Sequence, residues 1–405
     1  MSSYATQKPS RSGHSSGSGD RDENFVATLH RIADEVAAAH ADDVDRAARF
    51  PCEAVDALRG AQALSAFVPI ELEGGGVSLP AIARGCFELG RRCAATAMVF
   101  AMHQIQVATI ARHLDGAPWF AGYLREVSAE QRLIASVTSE VGTGGDMGRS
   151  IAAVVPDEDR LMRLEKRAPT VSYGEHCDDF LTTARRSEQA EAGDQVLVLS
   201  RATDTKLEPA GTWDTIGMRG TCSPGFVVRA RFAPEQVLAA PFATVMNESL
   251  VPLSHILWSF VWLGIATDAF ERGRAFVREA ARRKPGEPVP AAHRLSGVMS
   301  ELSMLRAEVQ SALSEFVAWS EEPGRERLDT MGSVLRFNNL KLAASEQAPR
   351  VCAGVLEVIG IAAYKNDSPF GVGRHLRDAL SARLMVANER IHAADAGLLM
   401  IAKEI

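Results

Sequence analysis

The chain has 405 residues, of which 46% are hydrophobic and 23% charged, as expected of a folded protein with a sizeable core. Its formal net charge of −7 at pH 7 argues against nucleic acid as a partner, because such proteins carry a basic surface. The six cysteines form no C-x-x-C pair or histidine-flanked set, so we expect no metal site, no disulfide framework and a cytoplasmic location.

Four segments follow one another along the chain. Residues 1–23 are rich in Ser, Gly and charge and are expected to form a disordered tail without a signal peptide. Residues 24–133 have apolar side chains at helical spacing, which predicts an N-terminal helical domain. Residues 134–247 change to short extended runs between Gly, Asp and Pro turns, and predict a central β domain. Helical periodicity returns over 248–405 and predicts a C-terminal four-helix bundle.

No continuous apolar run reaches the length of a membrane helix, roughly 18 residues, so we expect no membrane contact. The short basic run 282–284 is expected to be a solvated helix end.

A strand that enters a glycine-rich turn, residues 137–150, opens the β domain. Its glycines allow positive φ angles and close approach of the backbone to a flat or anionic ligand. The third glycine of a dinucleotide-binding fingerprint is missing, and the residues after the turn look extended where a helix should begin. A Rossmann fold is therefore rejected.

Three segments resemble signatures of the acyl-CoA dehydrogenase family. The turn Ser139–Asp146, S-E-V-G-T-G-G-D, is similar to the family's turn beside the flavin, and the strand from Thr170 to Arg185 resembles the family's second flavin contact. The segment Trp213–Ser223, W-D-T-I-G-M-R-G-T-C-S, is closely similar to the family's W-D-x-x-G-M-R-G-T-x-S turn. The resemblance implies an α+β multi-domain fold of helical domain, β domain and four-helix bundle. It further implies an enzyme with bound FAD that forms a homodimer or homotetramer.

The resemblance also implies which residues contact FAD. On the β domain side these are Thr138, Ser139, Gly144, Gly145 and Ser172. The segments similar to the family's partner-subunit motifs contribute Arg282, His293, Glu357 and Gly360. Ile361 and Ala363 stand where the family has glycines, so we expect the adenylate end of FAD to bind in a rearranged or weaker way.

Family members oxidise an acyl thioester between its α and β carbons, and a carboxylate removes the α proton. The family's two usual positions for this base are occupied by Val386 and Ser254. Glu389 is the leading substitute and His255 the second, although a surface or structural role is open for both. If Glu389 is the base, Glu389→Gln should slow flavin reduction by about 10²-fold.

Five residues are expected to line the substrate pocket. They are Met98, Met102, Ser254, Trp258 and Arg390. The two methionines could adapt to a flexible acyl chain, and core packing is the alternative role for them.

Three functions remain open at this point. The leading hypothesis is flavin-dependent dehydrogenation of an acyl thioester on CoA or a carrier protein, with an electron acceptor as partner. The second is a flavin monooxygenase or oxidase of the same fold, supplied by a flavin reductase, which can dispense with the carboxylate. The third is a base-lacking partner subunit of a hetero-oligomeric dehydrogenase.

Overall fold

The computed structural model describes residues 16–320 and 324–401. Residues 1–15 of the expected tail lie outside this range, but residues 16–23 form the start of a helix, so the tail prediction is wrong there. Two acidic side chains in this part of the helix bond it to a neighbouring segment and do not simply face solvent. Asp22 accepts a hydrogen bond from the backbone N–H of Ser78 at 3.0 Å, and Glu23 pairs with Arg84 at 2.7 Å.

The N-terminal block consists of helices whose apolar faces share one core. They are α1 (Ser16–Ile32), α2 (Ala38–Ala47), α3 (Cys52–Gly60), α4 (Leu79–Arg92), α5 (Ala94–Ala111) and α6 (Pro118–Glu130). Helix α5 is apolar on all sides because it is surrounded by protein, and its last turns approach the β domain.

The central block contains two small sheets that face each other across a core of their own. The strands are β1 (Ile134–Val137), β2 (Val155–Pro156), β3 (Met162–Ala168), β4 (Asp179–Arg185), β5 (Gln195–Arg201), β6 (Thr205–Pro209) and β7 (Phe226–Phe232). One sheet has the order β1-β4-β5, in which β1 pairs parallel to β4. The other has the order β2-β3-β7-β6 and is antiparallel throughout.

The C-terminal block is built on three long helices and several short ones. Its helices are α7 (Phe242–Val245), α8 (Val251–Arg283), α9 (Pro290–Ser320), α10 (Met331–Ile359), α11 (Ile361–Tyr364), α12 (Gly373–Leu380) and α13 (Asn388–Leu399). A π-helical turn, Met246–Leu250, joins α7 to α8 without a break. Helical structure therefore begins at Phe242, upstream of residue 248, where we had placed the boundary.

The fourth position of the expected bundle is shared by two short helices. Helix α12 packs on α8 and α10, and α13 packs on α10. A 3-10 turn at Ser381–Arg383 and the residues after it bend the chain between them. This bend places residues 384–387 along the wall of the cavity described below.

Two helices are long and apolar enough to span a membrane by length and composition alone, contrary to our reading of the sequence. They are α5 and the continuous helix Phe242–Arg283, and 89% of the apolar window of each is buried inside the protein. Their apolar character is accounted for by their place in the core.

Candidate active site

A cavity of about 710 Å³ opens where the helical block, the β domain and the C-terminal helices meet. This volume lies in the range of small-molecule sites, roughly 300–1,000 Å³. Hydroxyl and backbone groups of the β domain form one wall, apolar side chains of α5 and α8 form the floor, and the bend between α12 and α13 forms the facing wall.

The β domain wall carries a chain of hydroxyl groups. Ser223 Oγ lies 2.9 Å from the hydroxyls of both Ser172 and Thr221, and Thr221 donates to the carbonyl of Met218 at 2.9 Å. Because Ser223 donates to Ser172, the proton of the Ser172 hydroxyl is left for a ligand in the cavity. This wall can therefore donate hydrogen bonds to the edge of a flat polar ring.

The Trp213–Ser223 turn is held in place by α12. A Cβ atom on Gly217 would lie 2.1 Å from the carbonyl oxygen of Arg377, so only glycine allows the two backbones to meet. The next N–H, of Met218, donates to the Asp378 carboxylate at 2.7 Å. Burial raises the pKa of Asp378 to about 6, against the opposing effect of the neighbouring Arg374. The Trp213–Ser223 turn is thus joined to α12 by a close backbone contact and a hydrogen bond.

The glycine-rich loop forms the rim of the same wall. Gly142, Gly144 and Gly145 have φ angles of 96°, 62° and 74°. Glu140 closes the base of the loop: its buried carboxylate accepts from the N–H of Ala152 and the hydroxyl of Ser150, each at 2.7 Å. Glu140 therefore has a structural role.

The facing wall contains a strained residue at the position of the family's usual base. Val386 has φ +48°, which is rare for a β-branched side chain. Its carbonyl accepts a hydrogen bond from the Nζ of Lys341 at 2.8 Å, and Lys341 also donates to the side chain of Asn388. Burial lowers the pKa of Lys341 to about 8. The lysine thus fixes the course of the backbone along this wall.

The floor of the cavity is apolar. It is formed by Met98, Met102, Ile105, Leu250 and Trp258. The indole Nε1 of Trp258 is buried without a hydrogen-bond partner among the described residues. The floor therefore offers a ligand mainly apolar contacts.

Several of the expected site residues come together on this cavity. Those that line it are Thr138, Ser139, Gly145, Ser172, Met98, Met102, Ser254, Trp258 and Arg390. The hydroxyl of Ser254 donates to the carbonyl of Leu250 at 2.6 Å, one turn earlier on α8, so it is engaged by its own helix. Gly144 is in the same loop as Gly145 but does not line the cavity.

The structure brings neither candidate base to the cavity, which corrects our expectation. Glu389 is exposed in the first turn of α13, where its carboxylate remains in solvent. His255 is enclosed in the core with its Nδ1 3.0 Å from the carbonyl of Phe337, and burial lowers its pKa to about 3. An imidazole with that pKa is a weak base, so His255 has a structural role.

The second set of expected FAD contacts lies away from the cavity of the same chain. Arg282, His293, Glu357 and Gly360 are all exposed, near the end of α8, the start of α9 and the end of α10. Their assignment to a partner subunit's cofactor stays a prediction.

Some residues of the cavity were not expected from the sequence. Thr221 and Ser223 belong to the Trp213–Ser223 segment, which resembles a family motif, so the signal was present. Gln106, which lines the cavity, and Lys341, which supports the carbonyl of Val386, gave no signal, because each stands alone in an ordinary helical pattern.

Three blocks in this order, with a cavity at their junction, define the acyl-CoA dehydrogenase fold. Solved structures that share it include KijD3 in complex with dTDP, with a TM-score of 0.81 and 23% identity over 94% of this chain and 97% of that one. FMN-bound TdsC from Paenibacillus sp. A11-2 has a TM-score of 0.79 and 18% identity over 93% and 97%. Butyryl-CoA dehydrogenase from Megasphaera elsdenii has a TM-score of 0.75 and 16% identity over 94% and 98%.

Sequence comparison points to the family. The profile described as "Acyl-CoA dehydrogenase, N-terminal domain" matches residues 19–115. Bacillus subtilis YdbM, which carries a provisional acyl-CoA dehydrogenase name, is 27% identical in an alignment that covers 71% of this chain and 75% of YdbM. Cyclohex-1-ene-1-carbonyl-CoA dehydrogenase of Syntrophus aciditrophicus is 23% identical over 91% and 86%. Residues 19–115 therefore match the N-terminal domain of the acyl-CoA dehydrogenase family, and over most of its length the chain is similar to proteins named acyl-CoA dehydrogenases.

The residues of the cavity fit a flavin ring. The hydroxyls of Ser172 and Thr138 stand beside glycine-rich backbone on one wall, and the volume accommodates a tricyclic ring together with a small substrate. The adenylate end of FAD fits less well. Glu357 carries a negative charge where the family has an uncharged glutamine, and Ile361 replaces a glycine with a side chain that is 71% exposed.

Proposed function

We propose that this protein is a flavin-dependent monooxygenase that consumes reduced flavin and O2. One observation carries the proposal: among the described residues that line the cavity, the only carboxylate is Asp214. Asp214 is 90% exposed and 3.3 Å from Arg219, so it is not available as a buried base. Removal of an α proton from a thioester requires such a base, whereas oxygen transfer by reduced flavin does not.

The reaction balances with an external reductant. Reduced flavin supplies two electrons and two protons, one oxygen atom enters the substrate, and the other leaves as water. When bound, the flavin supplies the activation of O2. The protein contributes the hydrogen bond from Ser172 to the ring edge and the apolar floor around Trp258, which excludes water from the reacting face.

The cofactor that we propose is FMN, with FAD as the alternative. The charge of Glu357 would repel a pyrophosphate, and the exposed side chain of Ile361 would block close approach of the backbone to it. FMN lacks the adenylate half and avoids both conflicts. The names of KijD3 and TdsC complexes also include FMN.

Names of fold neighbours support oxygen chemistry. They include a dibenzothiophene monooxygenase, a nitrososynthase and a methanesulfinate monooxygenase. These chains are at most 21% identical to this one, so we use their names only as support for the proposal.

The second candidate is dehydrogenation of an acyl thioester. It is favoured by the names of the sequence relatives, which are acyl-CoA dehydrogenases. In this case a base would have to reach the cavity from outside the residues that line it.

We also propose a cytoplasmic homodimer or homotetramer that receives reduced flavin from a separate reductase. The exposed position of Arg282, His293 and Glu357 supports an assembly in which a second copy covers that end of the helices.

The test is anaerobic stopped-flow absorbance of the FMN-loaded protein mixed with butyryl-, octanoyl- and 3-phenylpropanoyl-CoA. We expect no bleaching by any thioester, bleaching by NADH plus a flavin reductase, and rapid reoxidation when O2 is admitted. Anaerobic bleaching of the wild type by one of these thioesters would establish the dehydrogenase instead.

A matched pair of variants tests whether dehydrogenation is absent because the cavity lacks a base. Val386→Glu places a carboxylate at the family's usual position, and Val386→Gln has the same shape without the proton acceptor. If the missing base is what prevents dehydrogenation, only Val386→Glu gains thioester-dependent bleaching.

A further inference from the structure

The guanidinium of Arg390 is a charge on the cavity wall that none of the described residues pairs with. Arg390 is half-buried in the first turn of α13 and lines the cavity. Its side chain makes no hydrogen bond and no ion pair with the residues that the structure describes. It lies against the glycine-rich loop, since a Cβ atom on Gly145 would be 2.1 Å from its Nη1.

Three acidic groups near this wall are already engaged within the protein. Asp214 pairs with Arg219 at 3.3 Å, Asp378 accepts from the N–H of Met218 at 2.7 Å, and Glu140 accepts from the N–H of Ala152 at 2.7 Å. None of these carboxylates is within ion-pair distance of Arg390.

The other arginine on the cavity wall provides a contrast. Arg377 donates to the Asp45 carboxylate at 2.9 Å and to the carbonyl of Ile216 at 2.7 Å. Its charge is therefore neutralised within the protein, and its role is to hold the turn. Arg390 lines the same cavity, and its charge is not compensated by any residue in 16–320 or 324–401.

An uncompensated guanidinium at a half-buried position is costly unless a ligand supplies the opposite charge. Its planar fork of N–H donors fits two oxygens of one carboxylate, sulfinate or phosphate. We propose that Arg390 binds an oxyanion of the substrate. The substrate class is then an organic acid whose apolar body packs on the floor around Trp258 while its acidic group pairs with Arg390.

This inference deepens the proposed function and rests on it only in taking the cavity as the substrate site. Binding can be measured without turnover, so a failure of the oxygenase proposal and a failure of this one are distinguishable.

The test is isothermal titration calorimetry of the FMN-loaded protein with three pairs of probes. Each pair is a carboxylate and its primary amide: benzoate and benzamide, indole-3-acetate and indole-3-acetamide, octanoate and octanamide. We expect at least one acid to bind about 10-fold or more tightly than its amide, because a hydrogen bond to a charged group is worth roughly 1.5–3 kcal/mol. If no acid binds more tightly than its amide, the proposal is wrong.

Variants of Arg390 test whether the preference for acids over amides depends on this residue. Arg390→Gln should abolish the acid preference and leave the amide affinities unchanged, whereas Arg390→Lys should keep part of it. Arg149→Gln is the matched control, because it removes the same charge from an exposed position near the glycine-rich loop that does not line the cavity. If the Arg149 variant also loses the preference for acids, the preference arises from long-range charge attraction and not from a contact with Arg390. That result would contradict the proposal.

The same variants distinguish the substrate's oxyanion from the phosphate of the flavin. Titration of the apoprotein with FMN and with riboflavin gives the contribution of the phosphate to flavin binding. We expect Arg390→Gln to leave the FMN affinity within 2-fold of the wild type. If it instead weakens FMN but not riboflavin, Arg390 serves the cofactor, and the proposal is wrong.

Discussion

The two walls of the cavity differ in how fully their polar groups are engaged. On the β domain wall, the backbone and side chains of the Trp213–Ser223 turn are hydrogen-bonded to one another, to Ser172 and to α12. On the facing wall, Val386 is strained and Arg390 has no partner among the described residues. The first wall is also the one whose sequence stays close to the family pattern. We call the β domain wall the retained wall and the facing wall, which lacks the family's usual carboxylate, the rebuilt wall; under the proposed function the first holds the flavin and the second meets the substrate.

The strongest test of the retained wall is Gly217→Ala. The new Cβ would meet the backbone carbonyl of Arg377 at 2.1 Å, and neither backbone can rotate away as a side chain could. We expect the free energy of unfolding to fall by about 3 kcal/mol or more, measured by urea denaturation.

Gly211→Ala is the control in the same loop. Its Cβ would be 3.4 Å from the nearest atom, an ordinary contact, so we expect a change of less than about 1 kcal/mol. Equal losses in the two variants would show that the close packing of the turn on α12 is not what stabilises this wall.

The second prediction concerns the carboxylate that fixes the turn. The pKa of Asp378 is about 6 in the folded protein, above its ordinary value of 3.8, so the folded state binds more protons than the unfolded state between these pH values. Stability due to this group is therefore greatest below pH 4 and decreases as the pH rises to 6. In Asp378→Asn, where the amide oxygen can still accept from Met218, this dependence should disappear.

Between pH 4 and pH 6, we expect the free energy of unfolding of the wild type to fall by on the order of 2–3 kcal/mol relative to that of Asp378→Asn. Urea denaturation of both proteins at intervals over this range checks the sign. Parallel pH curves for the two proteins would mean that the ion pairs around Arg374 compensate for the burial of Asp378.

On the rebuilt wall, the φ angle of Val386 predicts an inverted order of two substitutions. Alanine is ordinarily more stabilising than glycine, but a Cβ atom at φ +48° is strained and glycine is not. Val386→Gly should therefore be more stable than Val386→Ala by about 1 kcal/mol in thermal or urea unfolding. The ordinary order, with alanine the more stable, would show that the backbone relaxes out of the left-handed region when valine is removed.

The smallest effect on activity is expected for Glu389→Gln, although the sequence predicts a large effect for this variant. Because the carboxylate of Glu389 is exposed and outside the cavity, we now expect the rate of substrate oxidation to stay within 2-fold of the wild type. A decrease of about 10²-fold in single-turnover kinetics would return Glu389 to the role of base.

The sequence predicted the fold because its signals are local and consistent. The order of the three blocks follows from periodicity, and the Trp213–Ser223 turn was recognisable because nearly all of its residues are constrained by backbone contacts. It also located one wall of the cavity, through Thr138, Ser139 and Ser172.

The other wall could not be predicted, since its properties arise from contacts between distant residues. Nothing in the sequence near Arg390 shows that it lies against Gly145, and nothing near Lys341 shows that it holds the carbonyl of Val386. The proposed bases were wrong for the same reason: distance along the chain from Val386 or Ser254 does not determine whether a side chain reaches the cavity or points to solvent.

The π-helical turn at Met246–Leu250 makes the position of α7 sensitive to a change in chain length. A π turn holds one more residue than an α turn, so loss of a single residue here would convert it to regular helix and rotate everything upstream by about 100° around the helix axis. Ser249, whose hydroxyl lies 3.0 Å from Arg112 Nε and 2.9 Å from His113 Nε2, would then turn away from α5. Leu250 would leave the cavity floor in the same rotation. The length of this one turn, independently of which side chains it carries, thus sets the shape of the pocket that the substrate meets.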